Sequence, residues 1–287
     1  MTPSPWPDAP LAVLLGSFPV SAGPFVVTLY GDVVAPRGGE VWMGTLIATC
    51  AVVGIAESRV RTAVSRLVAA GRIAGEKLGR RSYYRLTPDA EREFAQAAAL
   101  IYAPADPPPL RAWHLVALPA GPDRDAAART LTRMRFGLVP PQLALLPDRG
   151  QALPVLPGAP FLATTEADLA PLVADAWPLA AIAAAMRRFL DGFAPLEGRR
   201  FEPAEALGLR LMLVHVFRDI ALRDPLLPSA LLPRDWPGPQ ARGLFARLYR
   251  ALSPGAESAV DRGFMDRDGM LDTDGDTLRR RLRRLGR

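Results

Sequence analysis

Residues 57–86 read ESRVRTAVSRLVAAGRIAGEKLGRRSYYRL, and the architecture of the first third of the chain follows from this stretch. Val60, Ala63, Val64, Leu67 and Val68 recur at i, i+3, i+4, i+7 and i+8, the core-facing stripe of an amphipathic helix over 56–70. Ser58, Arg59, Thr62, Ser65 and Arg66 then share the opposite face, with Arg61 on the flank. Gly71 is placed to end the helix, since glycine adopts the left-handed cap without strain. Ile73–Leu78 and Ser82–Leu86 follow as two strands around Gly79-Arg80-Arg81, a basic hairpin tip. The stretch holds eight Arg or Lys residues against Glu57 and Glu76, a surplus equal to the +6 formal charge of the whole 287-residue chain. A basic helix beside a basic hairpin is suited to gripping a duplex by its phosphates while side chains probe a groove.

Upstream, Pro24 can open a short helix over Phe25–Tyr30, and Pro36-Arg37-Gly38-Gly39 reads as a loop. Val41 to Val53 is apolar at helical spacing and predicts a buried second helix ended by Gly54. Residues 1–21 carry five prolines and few helix signals, which predicts a mobile extension. Downstream, Thr87 and Pro88 offer an N-cap and a first-turn proline for a helix reaching about Tyr102. Helix, helix, exposed polar helix, basic hairpin, helix is the order of a winged helix-turn-helix over 22–103.

Residues 104–109, rich in proline, form a stiff linker and the clearest boundary. Beyond it, Trp113–Leu118, Leu143–Leu146 and Phe161–Thr165 read as strands around an amphipathic helix at Arg124–Phe136. That alternation predicts a ferredoxin-like domain over 110–175. From 176 to 287 the pattern is helical, at Leu179–Phe193, Ala204–Ala221 and Gln240–Leu252. The fold class is thus α+β.

Composition narrows the choices. Apolar residues make up 49% of the chain, which marks a globular protein. The single cysteine, Cys50, excludes an internal disulfide and any Cys-rich metal site, and its apolar neighbours predict a buried thiol. No segment offers ~20 uninterrupted apolar residues, so a soluble cytoplasmic protein without a membrane partner is expected. Lys77 is the one lysine among 35 basic residues. An Arg-favouring composition inflates the charge count, so position carries the argument.

The strings Val27-Thr28-Leu29-Tyr30-Gly31-Asp32, Pro36 to Trp42, Val60 to Val68 and Gly79 to Pro88 resemble the PaaX family of bacterial repressors. So do Arg223-Asp224-Pro225, Leu227-Pro228, Leu231-Leu232-Pro233 and Asp235-Trp236-Pro237-Gly238. The match runs from about residue 24 to 252. The resemblance implies a winged helix, a Cas2-like ferredoxin fold and a helical C-terminal domain. It also implies a homodimer on palindromic operator DNA, governing aromatic (phenylacetate-type) catabolism and released by phenylacetyl-CoA or another acyl-CoA. The family carries a Tyr in the helix after Trp177 where this chain has Met186, so the resemblance does not fix the identity of the effector.

Ser58, Arg59 and Thr62, nearest the helix start, are the candidate base readers; Arg61 and Arg66 are candidate phosphate clamps. Ser65 shares their face, and Arg80 and Arg81 at the hairpin tip are candidate phosphate or minor-groove contacts. One of Tyr83 and Tyr84 must face inward and the other outward. His215, Arg218 and Arg223 are open to two interpretations: cations of a pocket for an anionic effector, or a structural network in which Asp224 pairs with Arg218 or Arg223. His114 reads as a strand residue with no special task. Asp272 to Asp276 hints at a calcium loop but has Arg283 at its twelfth position instead of a carboxylate, so no metal is expected. The Arg-rich tail reads as a frayed terminus. A rival function is catalysis, as a CoA thioester hydrolase or a metal-dependent nuclease. The chain has no Gly-x-Ser-x-Gly elbow, and strand Trp113–Leu118 ends without a carboxylate. No catalytic residue and no cofactor are therefore expected.

Overall fold

Helices alternate with two small antiparallel sheets, an α+β chain. The computed structural model describes residues 10–104, 110–148, 161–165, 169–271 and 275–286. They divide between two compact units, one of Met1–Ala105 with Phe189–Asp219 and Gln240–Arg287, the other of Asp106–Arg188 with Ile220–Pro239. These units cut across the division expected from the proline linker. Much of the region after residue 176 belongs with the N-terminal segment, because the apolar faces and charges it needs lie there. Most of the linker, 105–109, lies outside the described residues.

In the first unit, α1 (Pro10–Ser17) occupies part of the segment expected to be mobile. Its Leu14 is buried, and Phe18 beyond it packs on Phe193 at 5.5 Å between ring centroids; apolar burial orders the segment despite its prolines. Helix α2 (Ala22–Leu29) starts earlier than expected and runs into a π turn at Tyr30–Val34. Val41 and Trp42, expected to be helical, form strand β1 (Glu40–Trp42) instead. A β-branched and an aromatic residue suit a strand, and β1 pairs Trp42 with Tyr83 in the hairpin, so tertiary pairing overrides the apolar helical spacing. Helix α3 (Met43–Val52) follows and buries Cys50, whose thiol burial pushes up to about 12.

Helix α4 (Glu57–Ala69) buries Val60, Ala63 and Val64 of the expected stripe, while Leu67 is half-buried and Val68, near the helix end, is exposed. Glu57 in its first turn and Arg66 in its last complement the helix dipole. Gly71, at φ +65°, lets Arg72 N–H return to the Leu67 carbonyl. Strands β2 (Ile73–Leu78) and β3 (Arg81–Leu86) pair from Ile73↔Leu86 to Leu78↔Arg81, giving a sheet of order β1-β3-β2. Thr87 caps α5 (Pro88–Ile101), its hydroxyl accepting from Ala90 N–H.

Helices α9 (Pro203–Arg223), α10 (Gly238–Gly263) and α11 (Gly275–Arg284) supply the far side of this unit. Their junction with the N-terminal segment is a buried ionic cluster around Asp32. The Asp32 carboxylate faces Arg210 Nε at 3.0 Å and accepts from the hydroxyls of Tyr102 at 2.8 Å and Tyr249 at 2.9 Å. Arg281 donates to the backbone carbonyls of Asp32 and Gly31 and stacks over the Tyr102 ring at 4.2 Å. Glu257 bridges Arg210 and Arg37. Burial alone would raise the Asp32 pKa, but Arg210, Arg281 and the two hydroxyls hold it below the ordinary carboxylate value. Burial and the adjacent Asp32 charge raise both tyrosines, so they remain donors. The tail expected to fray is therefore helical and anchored, with Arg281 and Leu285 buried; residues 272–274 of the supposed calcium loop lie outside the described residues.

The second unit holds β4 (Ala112–Ala117), α6 (Arg124–Arg133), β5 (Gly137–Val139), β6 (Leu143–Asp148) and β7 (Phe161–Thr165). The strands form one antiparallel sheet of order β5-β6-β4-β7. Helix α6 stops before the expected Phe136, because Arg135 turns to φ +71°. Trp113, Leu145, Val173, Trp177 and Leu227 form one core cluster, joined by α7 (Ala170–Ala176). Helix α8 (Leu179–Phe193) follows and buries Met186. His114 is buried with Nε2 3.2 Å from Asp148 Oδ1. Among the described residues, no helix is long and apolar enough to cross a membrane.

Candidate nucleic-acid interface

Ser58, Arg59, Arg61, Thr62, Ser65 and Arg66 are all exposed along one side of α4. The buried stripe fixes the rotation of the helix, so this polar face has nowhere to go but outward. The guanidiniums of Arg59, Arg66 and Arg80 have no ion-pair or hydrogen-bond partner among the described residues. Arg61 donates to Glu57 at 2.8 Å, an exposed i,i+4 pair that contributes little and releases easily. The Thr62 hydroxyl donates to the Ser58 carbonyl at 2.9 Å, leaving its lone pairs outward as acceptors. Arg81 is exposed at the hairpin but lies 5.1 Å over the Trp42 ring, which steadies it.

Between α4 and the hairpin runs a groove of about 410 Å³, lined by Arg61, Ser65, Gly75, Lys77, Ser82 and Tyr84 among others. Tyr83 is the inward tyrosine and is buried, whereas Tyr84 faces the groove across Gly75. A methyl group on Gly75 would stand 2.8 Å from the Tyr84 ring, so glycine lets the ring lie flat on the strand. Tyr84 is thus the outward member of the expected pair, and Lys77 and Ser82 are members of this surface that the sequence analysis does not name as contacts. Strand alternation around the hairpin tip is the signal that could have found them.

The hairpin is held from far along the chain. Trp42 N–H donates to the Met265 carbonyl at 2.8 Å, setting the 264–271 turn against β1. Arg267 from that turn donates to Glu40 at 2.7 Å and to Glu76 on β2 at 2.6 Å. The Arg267 hydrogen bond, supported by Arg85, holds the Glu40 pKa below the ordinary value. Arg267 thus neutralises the carboxylates that would otherwise offset the basic hairpin.

The residues left open between an effector pocket and a structural network all lie on α9. His215 Nδ1 lies 2.9 Å from the Thr28 hydroxyl, and its ring packs edge-on to Phe25 at 5.5 Å. Burial, then the neighbouring Arg218, lowers its pKa to about 4. Its contacts join α9 to α2, which favours the structural interpretation. Burial also lowers the Arg218 pKa, with Asp219 acting the other way. Arg223 ends the same helix that carries His215 and Arg218. Asp224 Oδ1 accepts from Leu226 N–H at 2.9 Å, and its backbone carbonyl accepts from Arg135.

An outward cationic helix face beside a basic hairpin, with three guanidiniums unpaired among the described residues, defines a surface suited to a polyanion. Sequence comparison supplies the family. Residues 21–90 match the model described as PaaX-like protein, and residues 177–262 match that of the PaaX-like protein C-terminal domain. The chain is 32% identical over 269 residues to the transcriptional repressor PaaX of Escherichia coli (strain K12), covering 86% of this chain and 85% of that relative. The chain belongs to the PaaX family of transcriptional regulators. Among solved structures, it is similar to an uncharacterized protein, Rv0674 from Mycobacterium tuberculosis, with 24% identity and a TM-score of 0.48. That match covers 86% of this chain and 95% of the other.

Proposed function

We propose that this protein is a DNA-binding transcriptional repressor whose N-terminal segment is a winged helix-turn-helix. Helix α4 enters the major groove, and the β2–β3 hairpin lies along the backbone or minor groove. The observation that carries this is the unpaired, outward set of Arg59, Arg66 and Arg80 on adjoining elements. Leaving three guanidiniums unpaired on one surface gives no stability to the fold, but it prepares contacts to phosphates and guanine edges. Ser58, Arg59 and Thr62 read bases, Arg61 and Arg66 clamp phosphates with Ser65 on the same face, and Arg80 and Arg81 touch phosphates or the minor groove. The sheet order β5-β6-β4-β7 supports a ferredoxin-like second unit. By likeness to its family, the chain acts in the cytoplasm as a homodimer on a palindromic operator. It governs an aromatic, phenylacetate-type operon and is released by an acyl-CoA or aryl-CoA effector.

The test is operator binding by bandshift on the protein's own promoter region. Arg59→Ala combined with Arg66→Ala should abolish the specific complex at about 150 mM salt. It should also reduce the magnitude of the slope of log K against log salt by roughly one for each phosphate the variant no longer touches. Unchanged affinity and slope in that double variant would remove α4 from the interface.

A further inference from the structure

A second basic surface, away from α4, has a different chemistry. Helix α5 presents Phe94, Ala95, Ala98 and Ala99 along one stripe, and α11 presents Arg280, Arg281 and Arg284 along another. Both stripes line one open cleft of about 520 Å³, within the range of small-molecule sites. The turn after α2 adds Ala35 and Pro36 to its wall.

Charge in the cleft is not balanced internally. Arg281 is already held by Asp32 and the Gly31 carbonyl. Among the described residues, Arg280 donates to the Thr277 hydroxyl at 2.7 Å, and Arg284 has no partner. Glu91 is the one carboxylate on the described lining, and its Oε1 lies toward Gly39. Two guanidiniums therefore face the opening with no carboxylate among the described residues bonded to either. The floor beneath them is apolar and built mostly of alanines, which leaves room above the helix where larger side chains would have filled it.

We propose that this cleft binds a small organic anion with an apolar body. Its anionic group sits between Arg280 and Arg284, and its body covers Phe94 and the alanine stripe. A nucleic-acid backbone would satisfy the arginines but would leave the apolar stripe uncovered; inorganic phosphate would do the same. An uncharged apolar compound would leave the guanidiniums unmatched. Only a ligand carrying both features uses the whole surface.

The site deepens the effector half of the proposed function, and on that reading its position is apt. Arg281 belongs at once to the cleft and to the Asp32 cluster at the end of α2, and α2 packs on α4. An anion beside Arg280 and Arg284 also draws on Arg281, so occupancy is coupled to the element that carries the DNA-binding helix.

The probe is 8-anilino-1-naphthalenesulfonate, an aromatic sulfonate, titrated by fluorescence into the full-length chain. The expected result is one saturable site. Its dissociation constant should rise roughly tenfold or more in Arg280→Ala/Arg284→Ala. It should rise likewise in Ala98→Leu, which fills the floor, and inorganic phosphate at equal concentration should fail to displace the probe. Arg280 and Arg284 are exposed, so the double variant should keep its thermal midpoint, which is measured alongside. Unaltered probe binding in both variants overturns the site. A bandshift run in parallel keeps the two claims apart, since disabling the cleft leaves operator binding by the unliganded protein intact.

Discussion

Asp32→Asn is the perturbation that most directly tests how the first unit is held together. The substitution keeps the side-chain volume while removing the charge and exchanging one acceptor oxygen for an NH₂ donor. In the native cluster two carboxylates, Asp32 and Glu257, face three guanidiniums, Arg37, Arg210 and Arg281. Neutralising Asp32 leaves one carboxylate against those three, with Arg210 fully buried. Whichever oxygen becomes the amide NH₂ would also point its hydrogens at donors, either Arg210 on the Oδ2 side or the Tyr102 and Tyr249 hydroxyls and Arg281 on the Oδ1 side. Removing one partner of a buried ion pair costs about 3–5 kcal/mol. For a unit of this size, that lowers the thermal midpoint by roughly 10 °C. The assay is urea unfolding followed by circular dichroism at pH 7, checking that the m-value is unchanged. The pH dependence supplies an internal control. Because the Asp32 pKa is lowered in the folded protein, its contribution is complete above the unfolded value, about 3.9, and fades as pH falls through the folded value. The gap between parent and variant should therefore narrow in acid. A destabilisation under about 1 kcal/mol, or a gap that does not change with pH, would refute the assignment of the cluster as the joint between α2, α9, α10 and α11.

Two further outcomes follow from the packing. His215 has a pKa lowered from 6.5 to about 4 in the folded state, so the unfolded chain takes up the proton first as pH falls. Its neutral form stabilises fully above about pH 6.5, and up to a few kcal/mol disappears between there and pH 4; His215→Gln should flatten that part of the stability–pH curve, and an unchanged curve would argue against a buried neutral imidazole. In the second unit, a methyl at Gly137 would stand 2.6 Å from the Trp177 ring and 2.7 Å from the Ala176 methyl. Gly137→Ala should therefore cost about 1–3 kcal/mol by overpacking and shift Trp177 fluorescence, whereas a neutral effect would mean that α7 moves freely against β5.

The division between local and distant causes runs through individual residues. Val60, Ala63 and Val64 announce α4 because a helix repeats every 3.6 residues, and that same repeat puts Arg59, Thr62 and Arg66 on the outside. Thr87 and Pro88 likewise announce the start of α5. The same logic misassigns Val41 and Trp42, whose apolar spacing fits a buried helix until β3 is there to pair with them. It leaves His215 open between a pocket cation and a structural network because a sequence carries no measure of desolvation. It also leaves the tail frayed, since nothing near Arg281 reveals that Asp32 waits for it.

Short-range spacing and local motifs are enough to specify the helix with the cationic face, the basic hairpin beside it and the family, because each is written within a few neighbouring residues. Only in the folded chain do Asp32, Arg210, Glu257 and Arg281 meet, does Arg267 neutralise Glu40 and Glu76, and do α5 and α11 line a common cleft. Those contacts join residues far apart in the chain, and burial and charge pairing take their values only once folding has brought them together.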